Sequence, residues 1–159
     1  MIRVTIDGKT VDVSEGENLL EAAARIGIRI PTLCYKKETP EASACCMICV
    51  VKDARTAKML PACATRVVEG MEIETATDEV REHRRRSMAL LSPKKGTCIA
   101  CGNCVRTSRA MKEPIGLAWH GRGADVRIAP PLGKESEAGN ALTHSKEVCA
   151  RVCPMGAIR

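Results

Sequence analysis

Ten cysteines dominate the chemistry open to this chain of 159 residues. Three are spaced Cys98-Ile-Ala-Cys101-Gly-Asn-Cys104, and another pair reads Cys149-Ala-Arg-Val-Cys153-Pro154. A further set, Cys34, Cys46, Cys49 and Cys63, lies in the amino-terminal half, with eleven, two and thirteen residues between successive members. Thiolates at short spacings hold metal ions or metal-sulfide clusters, although an even cysteine count also suits a disulfide scaffold. The start MIRVTIDGKT reads as strand and turn, with no apolar segment behind a basic one. Secretion is therefore not expected, and bound metal in a reducing, cytoplasmic setting is preferred over disulfides.

The run from Cys98 carries the first three cysteines of the C-x2-C-x2-C-x3-C-P signature of two-cluster bacterial ferredoxins. In those proteins the last cysteine of each run binds the other run's cluster. That rule leaves one complete four-iron set here: Cys98, Cys101, Cys104 and Cys153. The other cluster would need the residues at 143, 146, 149 and 108, which are Thr143, Lys146, Cys149 and Ser108. One [4Fe-4S] cluster is expected, with Cys149 a remnant that binds nothing. His144, beside the lost ligand, does not rescue the set, because Ser108 and Lys146 still leave it short. His83, His120 and His144 are read as surface histidines.

Cys34, Cys46, Cys49 and Cys63 suit a [2Fe-2S] cluster or a structural zinc, and their spacing, which is not that of plant-type ferredoxins, leaves both open. The surrounding residues are Ile30-Pro-Thr-Leu-Cys34-Tyr35, Cys46-x-x-Cys49-Val-Val, Leu60-Pro-Ala-Cys63-Ala-Thr and Glu69-Gly70-Met71. They resemble the amino-terminal two-iron ferredoxin domain of the NADH-dehydrogenase iron-sulfur subunit, a module also found in NAD-linked hydrogenases, formate dehydrogenases and electron-bifurcating transhydrogenases. The resemblance covers residues 1 to about 91 and implies that all four cysteines bind the two-iron cluster. Two departures are Ala44, where the family usually has glycine, and Met47, where it has arginine. Cys45 has no ligand counterpart and is read as a buried or incidental thiol.

The carboxy-terminal half resembles the four-iron domain that follows in the same families. The matches are Cys98-Ile-x-Cys101-Gly-Asn-Cys104-Val-Arg, Gly121-Arg-Gly123 and Val152-Cys153-Pro154-x-Gly156-Ala157. Larger relatives carry an intervening cluster with one histidine and three cysteine ligands. Only Ser92 to Thr97 is available for it here, and no cysteine falls there.

These sites need elements to position them. Residues 2–6 and 10–13 are β-prone around Asp7-Gly8, a hairpin signal. Ser14-Glu-Gly-Glu17 has the form of a capping box before a short helix carrying Leu19, Leu20, Ala23 and Ile26, with Gly27 as its stop. Further short strands are predicted over 48–52, 58–61 and 67–75, with Glu69-Gly70 as a turn. Thr77 caps a second helix whose face holds Val80, Arg84, Ser87, Met88 and Leu91, ended by Ser92-Pro93. Residues 113–140 read as loop with one short hairpin. The predicted fold is α+β: a β-grasp two-iron ferredoxin domain at 1–76, a connecting helix at 77–93, and a small irregular four-iron ferredoxin-like domain at 94–159 with one of two clusters lost.

Phenylalanine is absent, and Tyr35 and Trp119 are the sole large aromatics. Much of the interior must then come from aliphatic side chains and the clusters themselves, so cluster removal is expected to unfold much of the chain. Trp119 is read as packing beside the four-iron cluster. Residues 1–80 carry a net charge of −3 and residues 81–159 one of +9. Base-stacking aromatics and helix-turn-helix or zinc-finger patterns are missing, so nucleic acid is not an expected partner. No apolar run is long enough to span a membrane. Neither G-x-G-x-x-G after a strand nor G-x-x-x-x-G-K-[ST] occurs, so nicotinamide, flavin and ATP sites are expected on other subunits.

Clusters fully ligated by cysteine have no open position for substrate, and one-electron transfer is their default role. The resemblance implies an electron-transfer subunit of a hetero-oligomeric NAD(P)H oxidoreductase complex without an active site of its own. Its partners would be an NADH- and flavin-binding subunit and a second flavin or redox subunit, with ferredoxin a further candidate. The short form points to an electron-bifurcating NADH/NADPH/ferredoxin transhydrogenase. The alternatives are an accessory subunit of an NAD-linked hydrogenase or formate dehydrogenase, and a free ferredoxin.

Overall fold

The computed structural model describes residues 1–39, 41–91, 97–133 and 137–158. They form two compact units: residues 1–33 with 46–90, and residues 34–45 with 91–159.

The first unit is built on a five-stranded mixed sheet. Strands β1 (Ile2–Ile6) and β2 (Lys9–Val13) form an antiparallel hairpin. The turn residues Asp7 and Gly8 both have positive φ, 47° and 76°, which matches the right-handed strand twist. Asp7 also anchors the sheet's far end, accepting hydrogen bonds from the Thr75 backbone N–H at 2.8 Å and the Thr75 hydroxyl at 2.5 Å. Strands β3 (Val50–Asp53), β4 (Met59–Pro61) and β5 (Glu72–Glu74) complete the order β2-β1-β5-β3-β4, with β5 parallel to β1. Val4, Ile6, Val13, Val50, Val51 and Ile73 are buried.

Helix α1 (Leu19–Arg25) lays Leu19, Ala22 and Ala23 into this core. Its capping box is Asn18 with Glu21, not Ser14 with Glu17: Glu21 N–H donates to Asn18 Oδ1 at 3.0 Å and Asn18 N–H to Glu21 Oε2 at 3.1 Å. The Ser14–Glu17 pair closes the preceding turn instead, Ser14 N–H donating to Glu17 Oε1. Within 67–75 the strand is confined to Glu72–Glu74; the turn expected at Glu69-Gly70 is present, with Arg3 N–H donating to the Glu69 carboxylate and Gly70 N–H to Arg3 O. Helix α2 (Asp78–Leu91) begins where predicted: Thr77 Oγ1 accepts from Val80 N–H and Thr77 O from Arg81 N–H. Val80 is its one buried residue. The Ser92-Pro93 stop lies outside the described residues.

The second unit contains α3 (Asn103–Ala110), the hairpin β6 (Ala118–His120) and β7 (Arg127–Ala129), and α4 (Lys146–Val152). Gly121-Arg-Gly123 lies in the connection between β6 and β7. The core joins Cys104, Val105 and Cys149 from the helices to Leu117, Ile128, Ala141 and Leu142. Among the described residues no helix is long and apolar enough to cross a membrane.

Candidate metal centres

Cys98, Cys101, Cys104 and Cys153 line one cavity in the second unit, closed by apolar groups that include Ile128, Ala138, Met155 and Ile158. The loop before α3 makes this possible by two left-handed residues, Ala100 at φ 50° and Gly102 at φ 74°. The first aims the Ala100 N–H at Cys98 Sγ, 3.3 Å away. The second lets the Trp119 ring lie on the backbone: a Cβ at 102 would stand 2.0 Å from the indole. Trp119 thus packs on the cysteine loop, its ring N–H 3.4 Å from Ala100 O, while remaining 48% exposed. Ala157 N–H donates to Cys153 Sγ at 3.3 Å. Backbone donors aimed at sulfur stabilise thiolates and set cluster potentials, so this donor set fits a cysteine-ligated cluster. Burial, with neighbouring thiolates adding, pushes the Cys101 thiol up to about 11 and Cys104 up to about 12. Metal must therefore displace protons to bind here. Among the described residues no three His, Cys, Asp or Glu side chains converge tightly enough for a single ion. The thiolates of a four-iron cluster stand wider apart, since each binds its own iron.

The four positions that a second cluster would need, Ser108, Thr143, Lys146 and Cys149, have other surroundings. Ser108 is buried, its hydroxyl donating to Val105 O at 3.1 Å and accepting from Leu117 N–H at 3.4 Å. Cys149 is fully buried in the apolar core, its Sγ 3.6 Å from Cys104 O, and burial pushes its thiol up. Lys146 is exposed at the start of α4. Thr143 belongs to a tight carboxylate nest, in which Glu113 accepts hydrogen bonds from the backbone N–H of Thr143 (3.0 Å), His144 (2.8 Å) and Ser145 (2.6 Å) and from the hydroxyls of Thr143 (2.6 Å) and Ser145 (2.7 Å). Burial alone would raise the Glu113 pKa, yet these donors outweigh it and hold the carboxyl far below its usual range. His144 is half exposed and sits against Met111 O, Nε2 to oxygen 2.8 Å.

In the first unit Cys46, Cys49 and Cys63 are buried; Cys34, also buried, belongs to the second unit. A hydrogen bond from Cys63 lowers the Cys49 thiol to about 7 against the opposing effect of burial, which favours a thiolate. Arg84 adds a nearby cation, half-buried and donating to Val50 O at 2.7 Å, its Nε without a hydrogen-bond partner. Cys45 is exposed, so of the two readings, buried or incidental thiol, the buried one does not hold.

Residues 1–78, which include Cys34, Cys46, Cys49 and Cys63, match the model of the 2Fe-2S iron-sulfur cluster binding domain. This part of the chain is similar to that family. The match supports a two-iron cluster over zinc. The chain is 33% identical over 115 residues to the gamma chain of the NAD-reducing hydrogenase HoxS of Cupriavidus necator, covering 72% of this chain and 47% of that protein. It is 26% identical over 209 aligned residues to an NADH-quinone oxidoreductase subunit of Rhizobium meliloti, covering 99% of this chain and 24% of that protein. The chain thus spans less than half the length of these curated relatives. Its fold matches a chain in the crystal structure of an NAD+-reducing [NiFe]-hydrogenase in the H2-reduced state, with a TM-score of 0.80 and 22% identity, covering 98% of this chain and 86% of that one.

Within this 2Fe-2S domain, the two departures noted in the cysteine loop share one geometry: Ala44 and Met47 both adopt left-handed backbone, at φ 50° and 53°. Glycine bears that conformation without the Cβ clash an alanine suffers. Ala44→Gly is expected to raise stability by about 1 kcal/mol, read as a higher urea midpoint at unchanged slope; a lower midpoint would show that the alanine methyl contributes more than its strain costs.

Sequence reading gave no role to Asn103, Arg106, Ser43 and Glu113. Asn103 and Arg106 lie inside the quoted cysteine run without being ligands, and Asn103, Ser43 and Glu113 act on partners distant in sequence.

Proposed function

We propose that this protein is a two-centre electron relay, in which Cys34, Cys46, Cys49 and Cys63 hold the [2Fe-2S] cluster and Cys98, Cys101, Cys104 and Cys153 a [4Fe-4S] cluster. The observation that carries it is the cavity where the latter four converge, with backbone N–H groups aimed at two of the sulfurs, in a chain whose first half is a 2Fe-2S domain. Full cysteine ligation leaves no site for substrate, and electrons must enter and leave through other proteins. The net charge of +9 on residues 81–159 supplies a docking surface for an acidic partner.

The relay belongs in a hetero-oligomeric NAD(P)H-linked complex, between a flavin-bearing, nicotinamide-oxidising subunit and a second redox subunit. An electron-bifurcating transhydrogenase fits the absence of cysteines for an intervening cluster between Ser92 and Thr97. The relatives that are hydrogenase subunits favour a second reading, an NAD-linked hydrogenase. Iron analysis and electron paramagnetic resonance test the relay: about six irons per chain and two distinct reducible signals are expected, and two four-iron signals would sink the ligand assignment. Co-purification from the native host separates the two complexes: a flavoprotein that reduces NADP+ marks the first, and a nickel-iron or iron subunit that oxidises H2 marks the second.

Arg84 provides a further check on the two-iron site. A half-buried cation near Cys49 stabilises the extra negative charge of the reduced state. Arg84→Gln is therefore expected to lower the two-iron midpoint potential by on the order of tens of millivolts in a spectroelectrochemical titration; an unchanged potential would mean that solvent screens the guanidinium.

A further inference from the structure

Asn103 is 1% exposed, and its amide hydrogen bonds all lie inside the second unit. Its Nδ2 donates to Cys34 O at 2.9 Å and to Val152 O at 3.1 Å. Its Oδ1 accepts from Arg106 Nη2 at 2.6 Å. This orientation is the one the surroundings permit, because exchanging oxygen and nitrogen would set a carbonyl against two carbonyls and an NH2 against a guanidinium. Ser43 completes the network, its hydroxyl donating to Cys101 O at 2.8 Å while Oγ lies 3.2 Å from Asn103 Oδ1.

The covalent neighbours of these atoms give the network its meaning. Asn103 is bonded directly to Cys104, Val152 is bonded directly to Cys153, and Cys34 offers its own carbonyl. One amide side chain therefore links the main chain of a two-iron ligand to that of two four-iron ligands, through one hydrogen bond to each partner carbonyl and otherwise through covalent bonds. Electronic coupling decays less steeply through bonds and short hydrogen bonds than across a gap of the same length. A buried, fully satisfied network also holds its geometry rigidly.

Resting on the two-centre reading above, we propose that Asn103 is the positioning residue that couples the Cys34 thiolate site to the Cys98–Cys153 site for electron exchange. In each exchange one site is oxidised by one electron and the other reduced by one, and no bond or proton moves. Arg106 and Ser43 keep the amide in register.

The test uses the full chain, reconstituted with iron and sulfide, reduced by less than one electron equivalent by flash photoreduction and sampled by freeze-quench electron paramagnetic resonance. Asn103→Leu preserves bulk but removes the donor. It is expected to keep about six irons, both signals and both midpoint potentials, and to slow redistribution of the electron between the signals by roughly tenfold. Asn103→Ser, too short to reach Cys34 O, should do the same and serves if the leucine variant loads poorly. Unchanged redistribution in a loaded variant overturns the proposal. Loss of the four-iron signal in both variants also overturns it, making Asn103 part of the scaffold. A wild-type chain without two distinct signals instead removes the two-centre reading, and with it the coupling.

Discussion

Cys153→Ser is expected to abolish the four-iron signal and about four of the irons, while Cys149→Ser leaves both signals intact. The two cysteines sit four residues apart on the same stretch of chain, so the contrast isolates ligand geometry from local disturbance. Cys153 faces the cavity with Cys98, Cys101 and Cys104, and its sulfur accepts the Ala157 N–H. Cys149 is turned into the apolar core, where its sulfur meets the Cys104 carbonyl and the Ser145 hydroxyl. Serine at 153 exchanges a soft thiolate for a harder oxygen of much higher pKa. Serine at 149 places a hydroxyl where both neighbours can accept its hydrogen, at the modest cost of a smaller, more polar core atom. The measurement is iron content with electron paramagnetic resonance of the dithionite-reduced variants. The opposite pattern would show that the crossed ligation typical of two-cluster ferredoxins does not hold for this chain.

Glu113→Ala should produce the largest loss of stability among the carboxylate variants. Five donors from residues 143–145 meet at one carboxylate whose side chain is fully covered. Removing it leaves the start of α4 without its anion and several donors without partners. A fall in thermal midpoint on the order of 10 °C is expected, with Glu113→Gln falling less because it retains an acceptor. The acid dependence follows from the sign of the shift. The folded-state pKa lies below the unfolded value, so the contribution of Glu113 is fully present above the ordinary carboxylate range and is lost as pH falls below it. Thermal scans of wild type and Glu113→Gln should therefore converge in strong acid. Parallel curves there would assign the stabilisation to something other than ionised Glu113.

The cysteines were legible because thiolate ligation imposes short, fixed spacings, and the β1–β2 hairpin because Asp7-Gly8 takes the positive φ values its turn needs. Helices α3 and α4 were not. Their buried residues are Asn103, Cys104, Thr107, Ser108 and Cys149 with one valine on each helix, Val105 and Val152, too few aliphatics to mark a helical period. Asn103 shows the same limit at the level of a site. Its partner Cys34 lies 69 residues away, and no local pattern marks an asparagine that must reach that far. Glu113 was passed over for the same reason, being 30 to 32 residues from the groups it gathers. The capping box was placed four residues early because Ser14-x-x-Glu17 and Asn18-x-x-Glu21 have the same form, and only packing of Leu19, Ala22 and Ala23 decides between them.

The second unit is not a continuous length of chain, since residues 34–45 belong to it. A cut anywhere between 46 and 90 therefore severs it, and a fragment starting at 91 lacks both the Cys34 carbonyl and the Ser43 hydroxyl that surround Asn103. A chimera that takes the second unit from a relative therefore has to carry two separate segments, residues 34–45 and the stretch from 91 onward.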